Sequence, residues 1–263
     1  MKKTTKTWII AALVMLLLGA GLFGYALLKN DFDFTKFGTV EHEVNTHVIT
    51  DPFHSIQIDA TTANVILLPS EDESCSVVCR EPVSERHEVT VENGVLIVRH
   101  SVTPKELTDL IGIDIGTKQI AVYLPAAEYA TLSVKVNTGS IHAENLSAAS
   151  LSATVSTGNV TLSGITCGSL TSTGSTGDMT LTNVIAADQM TLKRSTGDIR
   201  LEACDAAALL IQTTTGDVTC TLRSTKEFTV TSSTGSISIP PSATGGACTV
   251  STTTGDIKID IQD

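Results

Sequence analysis

The chain has 263 residues, with 28 acidic against 17 basic side chains and a formal net charge of -11. That balance disfavours a nucleic-acid partner, because holding a polyphosphate relies on Lys and Arg to release its counterions. Aromatic residues make up 4% of the chain, the one aromatic from Thr131 onward is Phe228, and no histidine follows His142. The C-terminal half is therefore not built around rings, and it lacks the commonest general base and metal ligand.

Lys2, Lys3 and Lys6 stand in a polar stretch over residues 1–7, ahead of an uncharged apolar run over residues 8–28 that Lys29 closes. At about 1.5 Å per residue the run reaches about 31 Å, enough for a hydrocarbon core roughly 30 Å thick. Gly19-Ala20-Gly21 would permit cleavage of a signal peptide. Secretory apolar cores are shorter, however, about 7–15 residues, so the run reads as a retained transmembrane helix. Lysines before it, with Asp31 and Asp33 after it, predict a cytoplasmic N-terminus and an extracytoplasmic remainder, a single-pass cell-membrane topology.

Residues 29–50 read as a spacer and residues 51–130 as a β-rich cap. Within the cap, Ile56 and Ile58, then Val65 and Leu67, flank Ala63 with strand spacing. Val89 and Val91 lead into Asn93-Gly94, then Leu96 and Val98, the signature of a tight hairpin.

From residue 131 to 263 Thr-Gly recurs, its glycine at 139, 158, 177, 197, 216, 235 and 255. Two residues after each glycine stand Ile141, Val160, Met179, Ile199, Val218, Ile237 and Ile257. Five before it stand Val134, Ala153, Ser172, Leu192, Ile211, Val230 and Val250. Each unit of about 19 residues is thus a strand, a glycine turn and a second strand. A unit so short buries its apolar row only by stacking on its neighbours. The predicted fold is all-β, a parallel β-solenoid behind one transmembrane helix. A sandwich of seven hairpins is the weaker competitor. In this reading the cap closes one end of the stack, and Lys258, Asp260 and Asp263 form a charged edge at the other.

The run Phe53-His54-Ser55-Ile56-Gln57-Ile58, Ala63-Asn64-Val65, Leu68-Pro69-Ser70, Cys75 to Cys79, Val91-Glu92-Asn93-Gly94 and Tyr123-Leu124-Pro125, feeding the Thr-Gly-Asp repeats, resembles the bacterial putative adhesin family, first catalogued as a domain of unknown function. The resemblance covers residues 45–263. It implies a membrane-tethered or exported β-solenoid, often in Gram-positive bacteria and in some cases encoded beside cell-envelope stress regulators, with no established catalytic residues. Ser140, Asn159 and Ser236 depart from its Asp position.

Three candidate features follow. Asp178, Asp198 and Asp217 fall on adjacent rungs, with Asp256 expected two rungs further on. Carboxylates about 5 Å apart repel by roughly 0.8 kcal/mol in water. The residues favour solvated turn caps over a weak Ca²⁺ row, since one Asp per unit is sparse for a calcium site. Thr138, Thr157, Thr176, Thr196, Thr215, Thr234 and Thr254 form a hydroxyl row, read first as ordinary β-branched ladder residues and second as a face for water or polysaccharide. Among the six cysteines, Cys204, Cys220 and Cys248 sit in apolar columns as small buried hydrophobes. Cys75 and Cys79, roughly 13 Å apart on an extended strand, are beyond disulfide reach of each other. A bridge from Cys75 to a distant cysteine stays open. No His or second close Cys completes a metal set.

Catalysis is not expected, because the repeats lack clustered carboxylates, and Lys193, Arg194, Arg200, Arg223, Lys226 and Lys258, with Lys135, are their only Lys and Arg residues. The sequence predicts a non-catalytic binding or scaffolding module without cofactor. Its partners would be the membrane, through residues 8–28, and a cell-wall polymer or envelope protein. A regulatory or sensor subunit of an envelope-stress response and a β-helical carbohydrate-active enzyme are the alternatives.

Overall fold

The computed structural model describes residues 3–29, 42–83, 85–101, 116–241 and 244–262. They fall into two units. The first contains α1 (Lys3–Lys29), long and apolar enough to cross a membrane over Trp8–Tyr25. Trp8, Leu16 and Leu22 on it are exposed. A membrane span and a signal sequence share this description.

The second unit is all β. In chain order its strands are β1 (His42–Ile49), β2 (Ser55–Thr62), β3 (Asn64–Pro69), β4 (Cys75–Pro82), β5 (His87–Glu92), β6 (Val95–His100) and β7 (Gln119–Leu124). The repeats supply β8 (Glu128–Thr138), β9 (Ile141–Glu144), β10 (Ser147–Thr157), β11 (Val160–Ser163), β12 (Thr166–Thr176), β13 (Met179–Thr182), β14 (Ile185–Thr196) and β15 (Ile199–Gln212). The last strands are β16 (Val218–Leu222), β17 (Lys226–Thr234), β18 (Ile237–Ser238), β19 (Gly246–Thr254) and β20 (Ile257–Ile261). Residues 42–49, expected as spacer, thus form a strand: paired antiparallel with β4 over its whole length, β1 has its backbone donors and acceptors satisfied along that side.

Two parallel ladders make the solenoid. One, of mostly longer strands, runs β6, β2, β8, β10, β12, β14, the second half of β15, β19, β17. The other, of mostly shorter strands, runs β7, β3, β9, β11, β13, the first half of β15, β16, β20, β18. Like offsets pair across rungs: Leu132 faces Leu151, which faces Leu170. The predicted columns point inward, and Val65, Val160, Met179, Ile199, Leu192 and Ile211 are among their fully buried members. Each such Val or Leu contributes on the order of 1.5–3 kcal/mol by leaving water. The parallel β-solenoid is therefore the observed fold, and the two-layer antiparallel sandwich is not.

Chain order and stacking order differ at both ends. The β6–β7 rung lies outside β2–β3, and the final unit, β19–β20, is inserted between β15–β16 and β17–β18. The predicted charged edge is corrected accordingly: Lys258 and Asp260 sit on β20, where Lys258 is paired on both sides and Asp260 on the β16 side, and the outermost rung is β17–β18. Asp263 lies outside the described residues. At the N-terminal end, β5 pairs antiparallel with β6, β4 with β7, and β1 with β4, while β2, β3, β6 and β7, expected in the cap, are rungs of the parallel ladders.

The glycine column has a steric cause beyond its positive φ. A Cβ built on Gly158 would overlap the carbonyl of Gly139, and one on Gly197 the carbonyl of Gly177. The turns stack so closely that a side chain has no room. At the opposite corner Asn145, Gly164, Asn183 and Ala203 all adopt φ between 51° and 63°. The twenty-residue unit from Gly177 to Gly197 absorbs its extra residue in a bulge between Ala186 and Gln189, and β15 carries a further irregularity between Glu202 and Cys204 where it pairs with β16.

Candidate functional site

Because the last unit is inserted, Asp256 follows Asp217 directly, and Asp178, Asp198, Asp217 and Asp256 occupy four consecutive turns. Their side chains act on the backbone. Asp178 Oδ1 accepts the Asp198 N–H at 3.0 Å, Asp198 Oδ1 that of Asp217 at 2.8 Å, and Asp217 Oδ1 that of Asp256 at 2.7 Å. Asn159 begins this run toward Asp178 at 2.9 Å, and Asp256 ends it on Ser236 at 2.7 Å. Bonds from the Ser236 backbone, then from its hydroxyl, hold the Asp256 carboxyl below the usual carboxylate range. Each carboxylate thus caps the turn one rung on, the geometry that the turn-cap reading requires.

The threonine row is exposed and runs Thr157, Thr176, Thr196, Thr215, Thr254, Thr234 in space. Behind it the outward face of the longer-strand ladder carries further hydroxyls: Ser150, Ser152 and Thr154 on β10, and Ser169, Thr171 and Thr173 on β12. Thr154 and Thr173 hydroxyls lie 3.3 Å apart, and Ser169 Oγ donates to Ser150 Oγ at 3.4 Å. Most of this face is half-buried by its own neighbours, so it offers a flat polar grid rather than projecting groups.

Two surface depressions hold about 420 and 240 Å³. The first is lined mainly by Pro, Ala, Leu, Asn, Gly, Ser and Thr, with Glu128 its only titratable group; the second presents Asp51, Glu73, Cys75 and Tyr129. Of the predicted bases, Arg194 and Lys226 are buried. The Arg194 guanidinium occupies the space left by Gly174, donates to the Val155 carbonyl at 3.3 Å, and leaves Nε and Nη2 unpartnered. Lys226 Nζ pairs with Asp205 at 2.6 Å and donates to the Ala206 carbonyl at 2.7 Å.

All six cysteines are buried free thiols. A cluster that sequence spacing did not reveal lies at the closed end: Glu81 Oε2 accepts from His87 N–H at 2.7 Å and meets His87 Nδ1 at 2.6 Å, while Oε1 accepts from Asn45 Nδ2 at 2.8 Å. Cys79 stands beside them. This Cys, His and carboxylate trio is not set up as a nucleophile. Burial, then the Glu81 charge, pushes the Cys79 thiol up to about 12, whereas a reactive cysteine needs an accessible thiolate. Cys79 and Glu81 alternate onto one face of β4, a signal the sequence does carry; His87 comes from the other ladder, which it does not.

A family model described as Toastrack DUF4097 matches residues 53–263. The crystal structure of a putative adhesin from Bacteroides fragilis is 20% identical, covers 84% of this chain and 99% of its own, and superposes with a TM-score of 0.55. A putative adhesin and a putative lipid binding protein, both from Parabacteroides distasonis, are 12% and 14% identical. Each covers 84% of this chain, with 99% and 97% of their own, at TM-scores of 0.48 and 0.45. No curated protein matches. At these identities the Bacteroides fragilis likeness is one of fold.

Proposed function

This chain belongs to the Toastrack DUF4097 family, and from that premise we propose that it is a membrane-anchored, non-catalytic binding or scaffolding module of the cell envelope. The observation that carries the reading is the rigid hydroxyl grid on the outer face of β10 and β12, whose Ser and Thr columns repeat at the rung spacing, about 4.8 Å. A flat array of short donors and acceptors suits a polymer that is itself a repeating polyhydroxyl, such as a cell-wall glycan. Hydroxyls fixed by ladder pairing lose little further side-chain entropy on binding. In this reading α1 stays in the membrane, its N-terminal lysines face the cytoplasm and the solenoid lies outside. The Asp178, Asp198, Asp217 row serves as turn caps, with a weak Ca²⁺ row as the alternative that a calcium titration decides. The putative adhesin of Bacteroides fragilis shares the fold; an adhesive role here rests on the hydroxyl face.

The test uses the full chain in detergent micelles, sedimented with purified cell-wall sacculi. Binding should be lost when Thr154→Glu and Thr173→Glu are combined, and no new reducing ends should appear on incubation. Binding unchanged by that pair removes the hydroxyl-face reading; released sugars remove the non-catalytic one. Protease shaving of intact cells should cut the solenoid and spare the N-terminus if the topology is as stated.

A further inference from the structure

We propose that Cys79, Glu81 and His87 form a zinc site that ties the two ladders together at the closed end of the solenoid. Cys79 and Glu81 lie two residues apart on β4, in the shorter-strand ladder, while His87 opens β5, which pairs into the other. Cys79 is 0%, Glu81 1% and His87 8% exposed. One ligand atom from each, a thiol sulfur, a carboxylate oxygen and a ring nitrogen, lies within 4.8 Å of the other two. Zinc bonds of about 2.3 Å to sulfur and about 2.0–2.2 Å to nitrogen and oxygen place tetrahedral ligands roughly 3–4 Å apart. The sulfur therefore needs to approach its partners by less than about 2 Å, while the 2.6 Å contact between His87 and Glu81 widens.

The donor set selects the metal. Calcium and magnesium want oxygen ligands, whereas mixed sulfur, nitrogen and oxygen donors suit zinc. Supporting contacts of the kind that orient metal ligands are present: Asn45 holds Glu81 Oε1 and itself donates to Glu43 Oε1 at 2.9 Å, and Arg86 Nε pairs with Glu43 at 2.7 Å. The competing arrangement is a purely structural ion pair of Glu81 and His87. It accounts for the carboxylate and the histidine, but it leaves a thiol buried against a carboxylate charge, an arrangement that a dication converts into two bonds. On binding, the Cys79 proton passes to solvent, the contact between His87 and Glu81 opens into two metal bonds, and water fills the fourth position.

Full-length protein, stripped with chelator and titrated with Co²⁺ as the probe, should develop a thiolate-to-cobalt absorption band at one equivalent, and Zn²⁺ should abolish it. Cys79→Ser should lose the band, while Cys75→Ser, on the same strand but outside the trio, should keep it. His87→Gln, which retains the thiol but removes one of the three ligands, should weaken Zn²⁺ binding by more than the roughly 10–100-fold that loss of an outer-shell partner costs. A wild-type protein without the band at saturating Co²⁺ overturns the proposal, whether or not the variants fold. So does a band that survives Cys79→Ser, or an unchanged Zn²⁺ affinity in His87→Gln.

Discussion

The two ends of the solenoid solve one problem differently. At each end the terminal unit is tucked one rung inside, so both chain ends of the repeat array are held by partners on either side. Beyond that, the N-terminal end receives an antiparallel cover, β5 on β6 and β4 on β7, and Leu96 and Val98 in its outermost parallel rung are fully buried. No further strand among the described residues pairs with β17 or β18. Ile237 and Ile239 there are 44% and 41% exposed, whereas Ile257 and Ile259, at the same offsets one rung in, are each 1% exposed. Ile237 and Ile257 share an offset and a ladder, so their difference in burial follows stacking position and not the repeat motif.

The largest test of this contrast is removal of residues 246–263. In a stack that followed chain order, the deletion would strip one end rung. Here it takes away the rung to which β17 and β18 are paired, so both should detach. Urea unfolding should show a lower midpoint with a reduced m-value, and limited proteolysis should cut within residues 224–241.

Next is Gly255→Val against Gly235→Val. A Cβ on Gly255 would overlap the Gly216 carbonyl with the β17–β18 rung on its other side, so it should cost more than about 4 kcal/mol. Gly235 meets the Gly255 carbonyl in the same way, but its rung can move outward, and its cost should be clearly smaller in denaturant titrations.

Smaller again is the matched pair Ile257→Ala and Ile237→Ala, expected at about 2–5 kcal/mol for the buried site and below about 1.5 kcal/mol for the exposed one. Equal values would mean that something covers the open end. Val98→Ala, although in an outermost rung, should behave as an interior site.

Two local effects close the series. Burial raises the Asp205 carboxyl, but hydrogen bonds from Lys226 and Ser224 and the Lys226 charge outweigh it and hold it below the usual range. Its stabilising contribution is therefore present above the ordinary carboxylate pKa of about 4 and is lost as pH falls through the lower folded value. Asp205→Asn should flatten the acid limb of the stability curve, read as thermal midpoint against pH. Arg194→Met should leave the midpoint unchanged or raise it slightly, because it removes a buried guanidinium with two unpartnered nitrogens while keeping the volume over Gly174. A marked drop would show that the charge is engaged.

Much of this was legible in the sequence, for reasons the structure makes plain. A repeat that places Leu132, Leu151 and Leu170 at one offset announces a column, since in-register parallel pairing demands like residues at like positions. Asn93-Gly94 announced its hairpin, and both residues take positive φ. A second corner signal, Asn145, Gly164, Asn183 and Ala203 six residues after each glycine, was equally present; its Ala is what disguises a column otherwise made of left-handed formers. Arg194, one of the bases of the repeats, stands three before Gly197, the offset of Val136 and Val155, and like them it is buried. The offset decided its direction, and the absence of a Cβ on Gly174 made room for it. The zinc trio was unreadable, because Cys79 and His87 meet only where two ladders close on each other.

Taken alone, the amino-acid order determined the repeat, the inward columns and the glycine turns, because each depends on spacing within one unit and on the pairing of like with like. Only the folded chain decided which unit lies next to which. Every unit presents nearly the same edge, so the local code is almost indifferent to order. Total burial across the whole stack then favours enclosing the final unit, bringing Asp256 beside Asp217, and closing one end with strands that run the other way.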